Sequence, residues 1–352
     1  MVRGTATDDS LSSVSSSPPI SIRRGLPDVN SLPKLLHMRQ FSDQLEWSGD
    51  RCYQEVRSMD RVRRIRLAGT PGEEQGPMTA AVDCDFVLAH LTLPHLLPPA
   101  FISVAAGAGY QGVSIRLIPA NPLTERQLPM FGASSLLAET LAQMNATGIY
   151  VNDIEVLKVE PRVNMSELER VLETAARLRA RNLVVVVADD VETRIAENLR
   201  SVADLTAAYG LRTCLECMVY MGVKTIEQGA RIIAQTDRTD IGLVIDALHL
   251  DRAGEHPADV ARLAAGQIAG VQLCDAGPRP DPTDLTAIMT EAREARLVPG
   301  RGLLPLTGLL RVIPAGVPVS LEVPVEGLIG EIPDVAIATL MRDSALEIMA
   351  DC

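Results

Sequence analysis

Four oxygen-bearing side chains, Glu216, Asp246, Gln272 and Glu322, each stand late in a short and otherwise apolar run: RTCLECM, IGLVIDALHL, IAGVQLCD and VPVSLEVP. Carboxylates are seldom buried without a partner, because stripping water from an unpaired charge costs several kcal/mol even after relaxation. If the runs are neighbouring strands of one barrel, the four donors meet at one end and need a shared cation. Oxygen ligation with open positions suits Mn2+, Mg2+ or Co2+ better than structural zinc.

Other polar residues gather near the same end. His249 lies three residues after Asp246, where it is expected to leave the strand for the following loop and touch substrate or a metal ligand. Asp275, three after Gln272, either orients a substrate hydroxyl or caps the next helix. His90 and Arg116, late in the first two apolar runs, read as a clamp on a substrate oxygen or phosphate, against the plainer reading of a salt bridge with Glu155 late in the third. Arg293 and Arg296 fall on a helix whose other charges are solvated, which gives at least one of them a surface role.

The elements that must position these groups alternate strictly from Val82 onward. Eight strand-like runs, from VDCDFVLAHLTL to VPVSLEVP, are separated by helix-length segments such as Met165 to Arg181, and a last helix spans Asp334 to Met349. This is the βαβ signature, and eight units imply a closed (β/α)8 barrel. Ser166 with Glu169 has capping-box spacing, and Gly148, Gly210 and Gly270 precede strands where a helix terminus favours glycine. An open dinucleotide-binding sheet is disfavoured, because no G-x-G-x-x-G follows the first strand.

The chain has 352 residues, enough for one barrel of roughly 250 residues and an appendage. Residues 1–77, with SLSSVSSSPP and scattered Pro and Gly, have the composition of a disordered extension; residues 78–352 form the barrel domain. A net charge of −12 argues against nucleic acid as a partner. No apolar run reaches the roughly 18 residues of a membrane span and no secretory signal opens the chain, so a cytoplasmic protein is expected. Six scattered cysteines, including Cys214 and Cys217 of a C-x-x-C on a strand, read as packing residues.

The motifs LEC at 215–217, VIDALHLDRAG at 244–254, VQLCDA at 271–276, VPGRG at 298–302 and SLEVP at 320–324 together resemble the xylose-isomerase-like TIM-barrel superfamily of sugar phosphate isomerases and epimerases. The resemblance covers about residues 83–350. It implies a metal held by Glu216, Asp246, Gln272 and Glu322, with glutamine where epimerases carry histidine, and with Glu216 and Glu322 as acid and base. The implied reaction is proton transfer beside a carbonyl of a carbohydrate or polyol-derived substrate, through an enediolate. Inversion of a stereocentre makes the protein an epimerase; loss of a β-hydroxyl makes it a lyase of the inosose or dehydroshikimate type. A silent carbohydrate-binding barrel is the third reading. Arg301 stands where relatives often carry an acidic residue, and the group suggests a homodimer.

Overall fold

The apolar runs are rich in Val, Ile and Leu, which suit strands covered on both faces. The computed structural model describes residues 84–119 and 127–352. In it β1 (Phe86–Leu88), β2 (Gly112–Arg116), β3 (Tyr150–Val159), β4 (Asn182–Val187), β5 (Arg212–Glu216), β6 (Gly242–Asp246), β7 (Ile268–Leu273) and β8 (Val319–Leu321) pair in chain order. All pairs are parallel, and β1 closes the ring on β8 with Val87 opposite Ser320. The (β/α)8 TIM barrel expected from the alternation is thus the fold. The expected disordered extension at 1–77 lies outside the described residues.

Each strand turns one set of residues to the helices and the other to the barrel interior. On β4, Leu183, Val185 and Val187 join the outer core, while Val184 and Val186 join Val156, Cys214 and Val244 inside. Cys217 belongs to the outer core, so the two cysteines of the C-x-x-C do not converge. Helix Met165–Arg177 buries Leu168, Val171, Leu172 and Ala175, a three-and-four spacing that keeps one stripe on the barrel.

Several local expectations are corrected. Asn164, not Ser166, caps helix Met165–Arg177 by accepting from the Glu167 N–H, and the Ser166 hydroxyl is occupied in donating to Asn164 Oδ1 at 2.9 Å. Gly148 and Gly210 do adopt the left-handed conformation at φ 76° and 78°, whereas Gly270 lies within β7. The sixth apolar run stops being a strand at Asp246, because the Asp246 carboxylate caps helix Ala247–Arg252 by accepting the His249 N–H at 2.9 Å.

Strand β3 carries two register shifts. Val113 faces Val151 but Ser114 faces Asp153; Ile154 faces Leu183 but Leu157 faces Val185. Each shift inserts one extra residue, so consecutive side chains can turn inward where strict alternation would allow one. Strand β7 does the same at Ala269, between the pairs Leu243–Ile268 and Val244–Gly270.

The outer core sets stability. Leu172 is fully buried, so Leu172→Ala should cost about 2–5 kcal/mol, read as a lower denaturant midpoint with an unchanged slope in urea unfolding.

Candidate active site

The C-terminal ends of the strands enclose a cavity of about 690 Å³ whose lining includes Arg116, Glu155, Glu216, Arg296 and Glu322. Glu216 is the last residue of β5 and Asp246 the last of β6, while Glu322 follows directly on β8. All three are at most 4% exposed. One ligand atom each of Glu216, Asp246 and His249 lie within 4.8 Å of one another, a spacing able to hold a metal ion.

His249 sits in a helix rather than in a loop and is 2% exposed. Its helix is pinned by Arg252, which makes two bonds to Glu291 at 2.6 and 2.8 Å, and by Arg279 on Asp251 at 2.8 and 2.9 Å. Tyr220 meets the imidazole edge-on at 5.5 Å. Neither ring nitrogen has a hydrogen-bond partner, and Nε2 lies 3.9 Å from Glu216 Oε1. Burial lowers the imidazole to about 4, so His249 is neutral near neutral pH.

The sequence left open which of Arg293 and Arg296 faces solvent, and Arg296 joins the cavity wall. It is 4% exposed and reaches Asp246 Oδ2 at 2.6 Å and Glu322 Oε2 at 3.0 Å, while its Nε donates to the Ala292 carbonyl at 2.8 Å. The signal lay in the spacing: Ile288 and Ala292 are buried, and Arg296 continues that four-residue stripe, whereas Arg293 falls beside it and is exposed. A surface role therefore holds for Arg293 alone.

Gln272 is the direct register partner of Asp246 and turns to the same side of the sheet. It is 4% exposed, and its Oε1 has no hydrogen-bond partner. It lines a small chamber beneath the main cavity, not the main cavity itself.

Electrostatics distinguish the carboxylates. Burial, then the charges of Glu322 and Asp246, push Glu216 well above the usual carboxylate range. Burial and the Glu322 charge do the same to Glu155, whose oxygens have no hydrogen-bond partner. Burial alone would raise Asp246, but the Arg296 guanidinium holds it below the ordinary value. Glu322 is raised by burial against the opposing pull of Arg296. Arg116 stands 3.8 Å from both Glu155 Oε2 and Glu322 Oε1, so the pairing with Glu155 exists alongside a place in the pocket wall.

Two of the expected substrate contacts are turned elsewhere. His90 stacks on Phe101 at 4.6 Å; its Nε2 lies 2.9 Å from the Leu96 carbonyl and its Nδ1 accepts the Arg116 N–H at 3.2 Å. Both nitrogens are used, and the ring does not line the cavity. Asp275 accepts backbone N–H groups from Ala276 at 2.9 Å, Gly300 at 2.9 Å and Leu304 at 3.0 Å. Its backbone also exchanges two hydrogen bonds with Leu297, at 2.7 and 2.8 Å. Asp275 thus clamps the segment that carries Arg296; a Cβ on Gly302 would collide with its carboxylate.

Residues 102–344 match the family described as xylose isomerase-like TIM barrel, and the chain belongs to that family. Over 133 residues it is 32% identical to a 3-dehydroshikimate dehydratase of Pseudomonas aeruginosa, a stretch covering 37% of this chain and only 20% of that protein. Among solved structures, the IolI protein with a bound zinc atom superposes with a TM-score of 0.64 at 18% identity, covering 76% of this chain and 98% of its own. D-psicose 3-epimerase, solved in the presence of D-fructose, gives 0.58 at 14% identity, covering 75% and 98%. At such identities the structural matches show the fold alone. Among the described residues, no helix is long and apolar enough to cross a membrane.

Two outcomes follow from these contacts. Burial holds the His90 imidazole at about 4, below its ordinary 6.5, so unfolding takes up a proton between those values and stability contributed by this group falls as pH drops from about 6.5 to 4. His90→Gln should therefore flatten the pH dependence of the urea midpoint in that window by about 1.4 kcal/mol per pH unit relative to the parent. Asp275→Ala removes charge-assisted bonds worth about 1.5–3 kcal/mol each, so hydrogen exchange at the Gly300 and Leu304 amides should accelerate at least tenfold.

Proposed function

We propose that this barrel abstracts a proton beside a carbonyl of an anionic, hydroxylated substrate and expels a β-hydroxyl as water, a lyase reaction of the dehydroshikimate dehydratase type. The observation that carries this reading is the pairing of buried carboxylates with buried guanidinium groups in one cavity. Arg116 and Arg296 face the carboxylates, and Lys158, Arg162, Arg170 and Arg293 stand farther along the lining, against Glu160 and Glu167. Such a wall favours a substrate bearing a carboxylate or phosphate over a neutral ketose. The partial identity with the Pseudomonas enzyme supports the same class.

The residues present fit a divalent ion. Glu216 Oε1, Gln272 Oε1 and both His249 nitrogens are buried without partners, and the donors are hard oxygens with one imidazole beside them. Glu216, Asp246, Gln272 and Glu322 would hold it, from four successive strand ends. When bound, Mn2+, Mg2+ or Co2+ supplies Lewis-acid polarisation of a carbonyl oxygen.

The chain's own groups do the proton work. One of Glu216 and Glu322 takes the α-proton, and the other delivers a proton to the departing hydroxyl, so that substrate yields a conjugated enone and water. Neutral His249, next to Glu216, can accept or return a proton without first losing one to solvent. Arg116 and Arg296 orient the anionic substrate and hold Glu322 in place. Burial of the site excludes water that would quench the carbanion. Epimerisation of a ketose is the second reading, favoured by the pair of glutamates and the fold shared with D-psicose 3-epimerase.

The test offers 3-dehydroshikimate and D-fructose to protein loaded with Mn2+, Mg2+ or Co2+. A rising ultraviolet absorbance from the first supports the lyase; solvent deuterium entering the second without a chromophore shifts the assignment to epimerase. Glu216→Gln and Glu322→Gln should each lower turnover by about 10²–10⁴-fold, and full turnover in both would show that the acid and base are wrongly assigned. Gln272→Leu should reduce bound metal by elemental analysis.

A further inference from the structure

Toward the N-terminal ends of the strands lies a second, half-open space of about 20 Å³ lined by Asn152, Asp153, Asn182, Gln272 and Ser320 among others. It is room for a single water-sized occupant. The register shifts create it. Asn152 and Asp153, successive residues of β3, both reach the chamber because one is the extra residue between the Val113 and Ser114 pairs; the shift in β7 brings in Ala269 and Gly270 together, and neither fills the space.

The chamber is lined by oxygen and lacks a counter-charge. Asp153 Oδ1, Asn152 Oδ1 and Ser320 Oγ are buried with no hydrogen-bond partner, and each residue is 6% exposed. Ser114, the register partner of Asp153, adds another unpaired hydroxyl and is 1% exposed. The Asn152 amide cannot be turned to help, since its Nδ2 donates to Asp153 Oδ2 at 2.6 Å and leaves Oδ1 as a bare acceptor. No Lys, Arg or His lines the space.

We infer that this chamber binds a monovalent metal cation, Na+ or K+, through Asp153, Asn152 and Ser320. A water molecule could bridge the acceptors but would leave the charge of the buried Asp153 carboxylate without a counter-charge. A divalent ion would meet a single carboxylate among neutral oxygens and would keep a net positive charge. One unit of positive charge matches one carboxylate, and the amide and hydroxyl oxygens complete an all-oxygen shell. Gln272 lines the chamber and not the cavity, and none of Asp153, Asn152 and Ser320 is among the groups assigned to the divalent centre, so the inference does not depend on the reaction assigned there.

The experiment compares thermal unfolding of the full chain in NaCl, KCl and N-methylglucamine chloride at equal ionic strength, with EDTA present, and looks for anomalous scattering in crystals grown in RbCl. Tm should be higher by roughly 2–4 °C or more in NaCl or KCl than in the organic salt, the larger shift identifying the ion, and an anomalous peak should lie between Asp153 and Ser320. Asp153→Asn should abolish the dependence on salt identity; should that variant fail to fold, Ser320→Ala should diminish it. Equal Tm in all three salts, a chamber without an anomalous peak, or an ion dependence unchanged in the variants overturns the inference.

Discussion

The barrel is constrained above all by like charge gathered out of water. Glu155, Glu216, Asp246 and Glu322 are all buried at one end of the strands, opposed among the cavity residues' close contacts by Arg116 and Arg296. Four formal negative charges less two positive leave two, the charge of one divalent ion. Burial first, and then this gathering of like charge, pushes the carboxyl groups upward, Glu216 and Glu155 most of all. Arg296 carries the largest share of the compensation, tying β6 to the end of β8 across the intervening strand. Losing it would leave Asp246 buried without its cation and Glu322 with Arg116 alone at 3.8 Å, a change of the kind that costs about 3–5 kcal/mol.

Much of this was legible in the amino-acid order. Parallel strands buried on both faces leave unbroken apolar runs, so the eight strands and the polar residue ending each of the last four could be placed by inspection. What the runs do not encode is where hydrogen bonding stops. VIDALHL reads as one mostly apolar run, yet Asp246 turns it from strand to helix by capping, and that change moves His249 from a loop into the wall beside Glu216. Arg296 was hidden for another reason: a helical arginine among solvated neighbours reads as surface until its position four residues beyond buried Ala292 is weighed.

His90 and Asp275 show what strand position leaves open. Both stand at the correct end of the barrel, and both direct their polar atoms at backbone rather than at a ligand. Sequence position fixes height along the barrel but not which neighbouring amide takes the side chain first. The register shifts of β3 were equally invisible, because NDIEV satisfies strand alternation whether or not an extra residue is inserted. Those insertions divide the interior into an upper cavity containing Glu155 and a lower chamber containing Asp153.

The grip of Asp275 on residues 297–304 is made wholly through main-chain amides and carbonyls. Main-chain partners are common to every amino acid except proline, so the path of this segment is indifferent to most of the side chains it displays. Evolution can therefore exchange side chains along residues 297–304 while Arg296 stays where it is. Arg301, exposed on this segment, is a side chain of that sort, open to exchange without disturbing the machinery behind it.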